Sequence, residues 1–216
     1  MREFIRPLNK TINGRIQKAN LSNFENEIRK YILKSYITNG KAPIIQNLSK
    51  QFNFSDAEII LILEKLKHTD IINFRNNQII CSYPFSNKPT DFTVKIENNS
   101  TVFALCATDA FGIHFLTQQN CIVESKCPCC QENLNIVLSG GQVTQSNPAN
   151  IVEFVSLPEN CGCTSDSFCP TIKFFCNRDH INLWKIQQDY DFNGEIYELD
   201  EVAYHSKKIF SNLLEL

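Results

Sequence analysis

Apolar residues recur at helical spacing before residue 70 and at strand spacing through much of the chain beyond it. Ile28, Ile32, Leu33 and Ile37 step by three and four positions, which predicts a helix. Ser22 or Asn23 can cap its start, and Gly40 stops it. Ile44, Leu48 and Phe52 predict a short second helix. Ser55-Asp56-Ala57-Glu58 has the form of a capping box and opens a third, with Ile59, Ile60, Leu63 and Leu66 on its apolar face. Residues 1–21 are polar and basic, and read as an arm or a short first helix. Ile71-Ile72-Asn73-Phe74 and Ile79-Ile80-Cys81 flank an Arg75-Asn76-Asn77 turn and predict a hairpin. Three helices followed by a hairpin is a winged helix-turn-helix order.

Tyr83 to Pro89, with two prolines and Asn87, reads as a linker or crossing segment. Beyond it the pattern is mixed. Phe92 to Ile96 predicts a strand, Asn98-Asn99-Ser100 a turn, Thr101 to Leu105 an apolar run, and Ala107 to Leu116 a helix. Cys121–Val123, Leu134–Val137, Ile151–Val155 and Ile172–Phe175 are strand-like. Asp179 can cap a short helix bearing Leu183 and Trp184. A final helix starts near Asp200 and carries Val202, Tyr204, Ile209 and Leu213. The expected class is α+β: an N-terminal winged-helix-like helical domain over 1–82, followed by a mixed α/β domain over 83–216.

Composition changes this picture little. At 43% hydrophobic and 20% charged, the chain reads as an ordinary soluble protein. A net charge of -2 gives no general case for nucleic acid. Residues 1–41 carry nine Lys/Arg against three acids, so this arm either meets an anionic partner or is a solvated helix face. The third helix offers Glu58, Glu64, Lys65 and Lys67, without a run of Arg, Asn or Gln to read bases, which argues against DNA as a partner. The sequence has neither a signal-peptide pattern nor a long apolar run, so the expected location is the cytoplasm, away from the membrane. Ten cysteines in such a setting point to metal or catalytic thiols before disulfides.

Cys106 and Asp109 are three residues apart where a helix is expected to begin, so they share a face. Helix-terminal N–H groups there favour a thiolate at Cys106; the alternative is a buried structural cysteine. Among Ala110, Phe111 and Ile113, Asp109 is expected to lose water and hold a proton near neutrality, or else it merely stabilises the first helical turn. Cys169, behind the polar Thr164-Ser165-Asp166-Ser167, is either a partly exposed thiol facing a cleft or simply buried. Cys127 and Cys130 have CxxC spacing, and with Cys161 and Cys163 they make a candidate structural zinc set, or they stay reduced and metal-free. Cys81, Cys121 and Cys176 fall in apolar contexts and are assigned to the core. His68, His114, His180 and His205 show no ligand spacing and receive no role. Neither a Gly-rich phosphate loop nor a Gly-x-Ser-x-Gly elbow is present.

Leu105-Cys106-Ala107-Thr108-Asp109, Cys127 beyond the next strand, and Ser167-Phe168-Cys169 leading into Phe174-Phe175 together resemble the alkylmercury (organomercurial) lyases, as does the Tyr83-Pro84-Phe85-Ser86 segment. The resemblance covers about residues 24 to 210. It implies protonolysis of a carbon–mercury bond to a hydrocarbon and Hg(II). By it, Cys106 attacks mercury, Cys169 joins as second thiolate, Asp109 relays the proton, and Cys127 is a supporting thiol. It implies no required cofactor, an organomercurial substrate, and cellular thiols or a mercury-handling protein as acceptor of Hg(II). Pro170 and the extra Cys129, Cys130, Cys161 and Cys163 depart from the family pattern. The competing expectation is a metal-responsive, cysteine-rich winged-helix regulator without lyase activity.

Overall fold

The computed structural model describes residues 3, 10–156, 163–189 and 193–216. Its first part is helical: α1 (Ile12–Lys18), α2 (Asn23–Asn39), α3 (Ile45–Phe52) and α4 (Asp56–His68). The caps expected from sequence are in place. Ser22 and Glu25 bond reciprocally at the start of α2, and Ser55 and Glu58 at the start of α4. Gly40 ends α2 at a φ of 73°, a left-handed conformation that suits a residue without Cβ. The hairpin of β1 (Ile72–Arg75) and β2 (Gln78–Ser82) turns through Asn76 and Asn77, both at positive φ.

Of the two readings for Tyr83 to Pro89, linker or crossing segment, the structure takes the second. Within it β3 (Phe85–Ser86) pairs with β2 on one side and with β5 (Thr101–Ala104) on the other. Phe85 is fully buried, stacked on Tyr36 of α2 with centroids 5.0 Å apart. Burying that ring is worth more than the solvation its Pro-flanked backbone would gain as a free linker. An antiparallel sheet therefore runs through in the order β1-β2-β3-β5-β4-β6-β7-β8, with β4 Thr93–Ile96, β6 Cys121–Lys126, β7 Asn133–Ser139 and β8 Gln142–Asn147.

A smaller sheet has β9 (Val152–Ser156) between β10 (Ile172–Phe175) and β11 (Gly194–Glu198). Between the sheets lies α5 (Ala107–Thr117), buried at every position from Ala107 to Leu116. A helix apolar all round belongs in a core. It packs on β4, β5, β6 and β10, and against the C-terminal α8 (Leu199–Phe210). Gly112 permits that last contact, since a Cβ there would lie 2.4 Å from the Phe210 ring. A short α6 (Thr164–Ser167) precedes Cys169, and α7 (Arg178–Gln187) follows β10. Asn177, rather than Asp179, caps α7. None of the described helices is long and apolar enough to cross a membrane.

Candidate active site

Cys106 is the N-cap of α5, in extended conformation, and its Sγ accepts the Asp109 N–H at 3.4 Å. This is the position in which a Ser or Asp side chain ordinarily satisfies a free helix amide. One turn along, the Asp109 carboxylate turns back toward the cap. Cys106 Sγ donates to Asp109 Oδ2 at 3.0 Å, and Cys169 Sγ approaches the same oxygen at 3.6 Å. Cys169 comes from the opposite side, in the 3-10 turn Cys169–Thr171 between α6 and β10. The three sequence-predicted residues thus converge, with one ligand atom from each within 4.8 Å of the others.

All three are buried: Cys106 is 2% exposed, Cys169 4% and Asp109 5%. Cys169 is therefore buried rather than partly exposed, and lines a small cavity. That cavity, about 40 Å³, is lined mainly by apolar side chains, among them Ile12, Phe168, Ile172 and Phe210, with Arg15 and Thr108 also reaching it, around the three polar groups. The lining is mostly apolar, so charges inside are weakly screened.

This burial reverses the expectation of a resting thiolate at Cys106. Burial, the hydrogen bond with Cys169 and the Asp109 carboxylate together push the Cys106 thiol well above its ordinary range. For Cys169, the bond from Cys106 pulls the pKa down, but burial and Asp109 outweigh it and leave it raised. The helix-terminal amide is present and loses to desolvation. The resting site thus stores its protons on sulfur.

The N-terminal helices help shape the site. Arg15 of α1 pairs with Asp70 and donates to Thr164 Oγ1 at 2.9 Å, while its guanidinium lies 4.7 Å from the Tyr83 ring centroid. Asp70 also accepts from Tyr83 Oη at 3.0 Å and from Cys163 Sγ at 3.3 Å, and Tyr83 Oη accepts the Ser165 N–H at 2.8 Å. From β1, Asn73 donates to Ser165 Oγ at 2.9 Å, and Arg75 pairs with Asp166. These bonds clamp α6, and α6 leads directly into Cys169.

The candidate zinc set separates. Cys163 lies in the Asp70–Tyr83 network just described, and Cys161 lies outside the described residues. Cys127 and Cys130 are instead joined by Cys176 and His180, two residues whose sequence contexts suggest no ligand role. Cys163 opens α6, and the contacts that fix α6 hold its thiol on the Asp70 side.

Glu153 is a further site residue, hidden in sequence within an apolar strand. It sits fully buried on β9, accepts the Thr108 hydroxyl at 2.7 Å through Oε1, and has no hydrogen-bond partner for Oε2 among the described residues. Burial raises its pKa from 4.5 to about 8; the Thr108 bond opposes this, and the nearby Asp109 adds to it. The unfolded chain therefore binds fewer protons than the folded one between these values, and stability falls as pH rises from about 4.5 toward about 8. Glu153→Gln removes that slope. Urea unfolding should show the variant gaining on the parent by on the order of a few kcal/mol between about pH 5 and about pH 8.5. Parallel curves for the two proteins would mean that Glu153 does not titrate in this range.

The family model described as "Alkylmercury lyase" (MerB) matches residues 85–211, more than half of the chain and all of the convergent triad. The chain belongs to the alkylmercury lyase family. As a member it is an enzyme, an organomercurial lyase acting on carbon–mercury bonds. Among solved structures, the crystal structure of the mercury-bound form of MerB2 aligns with a TM-score of 0.78 over 96% of this chain and 98% of that one. At 20% identity, this likeness establishes the fold. No curated protein matches the chain.

Proposed function

We propose that this lyase protonates the carbon of a carbon–mercury bond with Cys106 and Cys169 as the two mercury-binding thiols and Asp109 as the proton relay. The observation that carries this is the approach of both thiols to one oxygen of a buried carboxylate.

The chemistry balances with these groups alone. Thiol sulfur is soft and selects a soft, thiophilic metal. An organomercurial arrives as a thiolate complex, and Cys106 displaces that thiolate, which leaves with the Cys106 proton. Cys169 then adds to mercury and passes its proton to Asp109 Oδ2. The raised thiol pKa values are no obstacle, because a coordinated metal drives off the thiol proton. Two sulfurs on mercury push electron density toward the Hg–C bond, and the protonated Asp109 delivers its proton to the carbon as the bond breaks. The products are a hydrocarbon, Hg(II) held by two thiolates, and a regenerated Asp109 carboxylate. Water exclusion keeps the proton on this path. The reaction requires no cofactor, and mercury enters as part of the substrate. Small thiols or a dithiol protein then take Hg(II) from the site. The requirement for two reduced thiols suits the reducing cytoplasm.

The test is headspace gas chromatography of methane after mixing reduced protein with methylmercury and excess small thiol. Methane above the thiol-only control is expected. Methylmercury retained on the protein without methane would point instead to a binding or sensing role.

A further inference from the structure

We propose that Cys127, Cys130, Cys176 and His180 form a structural zinc(II) site, separate from the mercury-binding thiols. The four ligand atoms all lie within 4.8 Å of one another. Three thiols and one imidazole are a donor set for tetrahedral structural zinc. The distances fit that ion: with Zn–S of about 2.3 Å and Zn–N of about 2.0–2.1 Å, a tetrahedron places its sulfurs about 3.8 Å apart and sulfur from nitrogen about 3.6 Å. Cys130 and Cys176 Sγ are 3.6 Å apart, and Cys127 Sγ is 3.5 Å from His180 Nδ1. The sulfurs are not joined as a disulfide, which would bring them to about 2.05 Å.

The backbone is arranged to match. Cys127 follows β6, and the chain reverses through Pro128, Cys129 and Cys130 before entering β7. Gln131 adopts a φ of 64° at the reversal, and its N–H bonds Cys127 O at 2.9 Å. His180 is held at the start of α7, where its N–H donates to the Asn177 cap at 3.0 Å. Cys176 donates to Glu132 Oε2 at 3.5 Å, a proton that leaves when the thiol takes the metal.

The position explains what the ion would do. It joins the β6–β7 turn of the large sheet to the junction of β10 and α7 in the small one. Cys169 stands just before β10 and Cys176 just after it. Zinc there fixes the far end of the strand that follows the second mercury-binding thiol. It also occupies three thiols that would otherwise compete for mercury.

Metal analysis of protein purified under reducing conditions without chelator should give about one zinc per chain. Cobalt(II) exchanged into the site should show the intense visible bands of a tetrahedral thiolate complex. Cys176→Ser and His180→Ala should each lose the metal and lower Tm, whereas the double variant Cys106→Ser/Cys169→Ser should keep it. Should a ligand variant fail to fold, cobalt exchange on the parent protein and on that double variant decides the matter. Less than about a tenth of a zinc per chain, or cobalt bands lost with Cys106 and Cys169, would overturn the assignment.

Discussion

Cys106→Ser will abolish hydrocarbon release while leaving the fold intact. Serine is a preferred helix N-cap and differs from cysteine by one atom, so α5 keeps its cap and the change in stability stays within about 1 kcal/mol. The effect must then be chemical. A hydroxyl is a hard ligand that remains protonated near neutrality, and it cannot displace a thiolate from mercury. Release should fall at least about a thousandfold, to the thiol-only background. Cys169→Ser should lose as much, and the double variant should be no worse than either, because the two sulfurs act as one clamp. Release within about tenfold of the parent, with Tm unchanged, would remove Cys106 from the mechanism.

How much of this arrangement could be read from sequence differs by residue. The capping box at Ser55 and the Asn76-Asn77 turn carry local signals and formed as expected, and of the two cap candidates Ser22 and Asn23 it is Ser22 that caps. β8 and β11 carry no such signal. Gln142–Asn147 is largely polar because β8 is an edge strand exposed along most of its length, so alternation never appears. β11 is likewise an edge, with only Tyr197 fully buried. β3 is two residues long, and its flanking prolines disguise it as a connection.

Within the site, the spacing of Cys106 and Asp109 was legible because the two share a helix end. Cys169 is 60 residues from Asp109, and no local pattern ties them. Cys176 and His180 were lost for the same reason. The nearer pair, Cys161 and Cys163, offered a second cysteine cluster in sequence, whereas the structure draws its partners for Cys127 from across two sheets. Glu153 gave no warning, since one acid in an apolar strand ordinarily marks an exposed face.

Asp109→Asn separates binding from cleavage. Asparagine keeps the size of the side chain and an oxygen facing the thiols, while it has no acidic proton to give. Both sulfurs remain free to take mercury, so mass spectrometry should find a stoichiometric organomercury adduct. Hydrocarbon release in a single turnover should then fall by about 10²–10⁴, the usual contribution of a positioned acid. The burial of the site makes this loss hard to repair. Cys106, Asp109 and Cys169 are all buried, so bulk solvent is a poor substitute donor. Glu153 does not line the cavity itself; its Oε1 is occupied by the Thr108 hydroxyl. If Asp109→Asn bound the organomercurial and released hydrocarbon at the parent rate, the proton would have to come from the thiols themselves, and the carboxylate would be left with the lesser task of holding the two sulfurs in place.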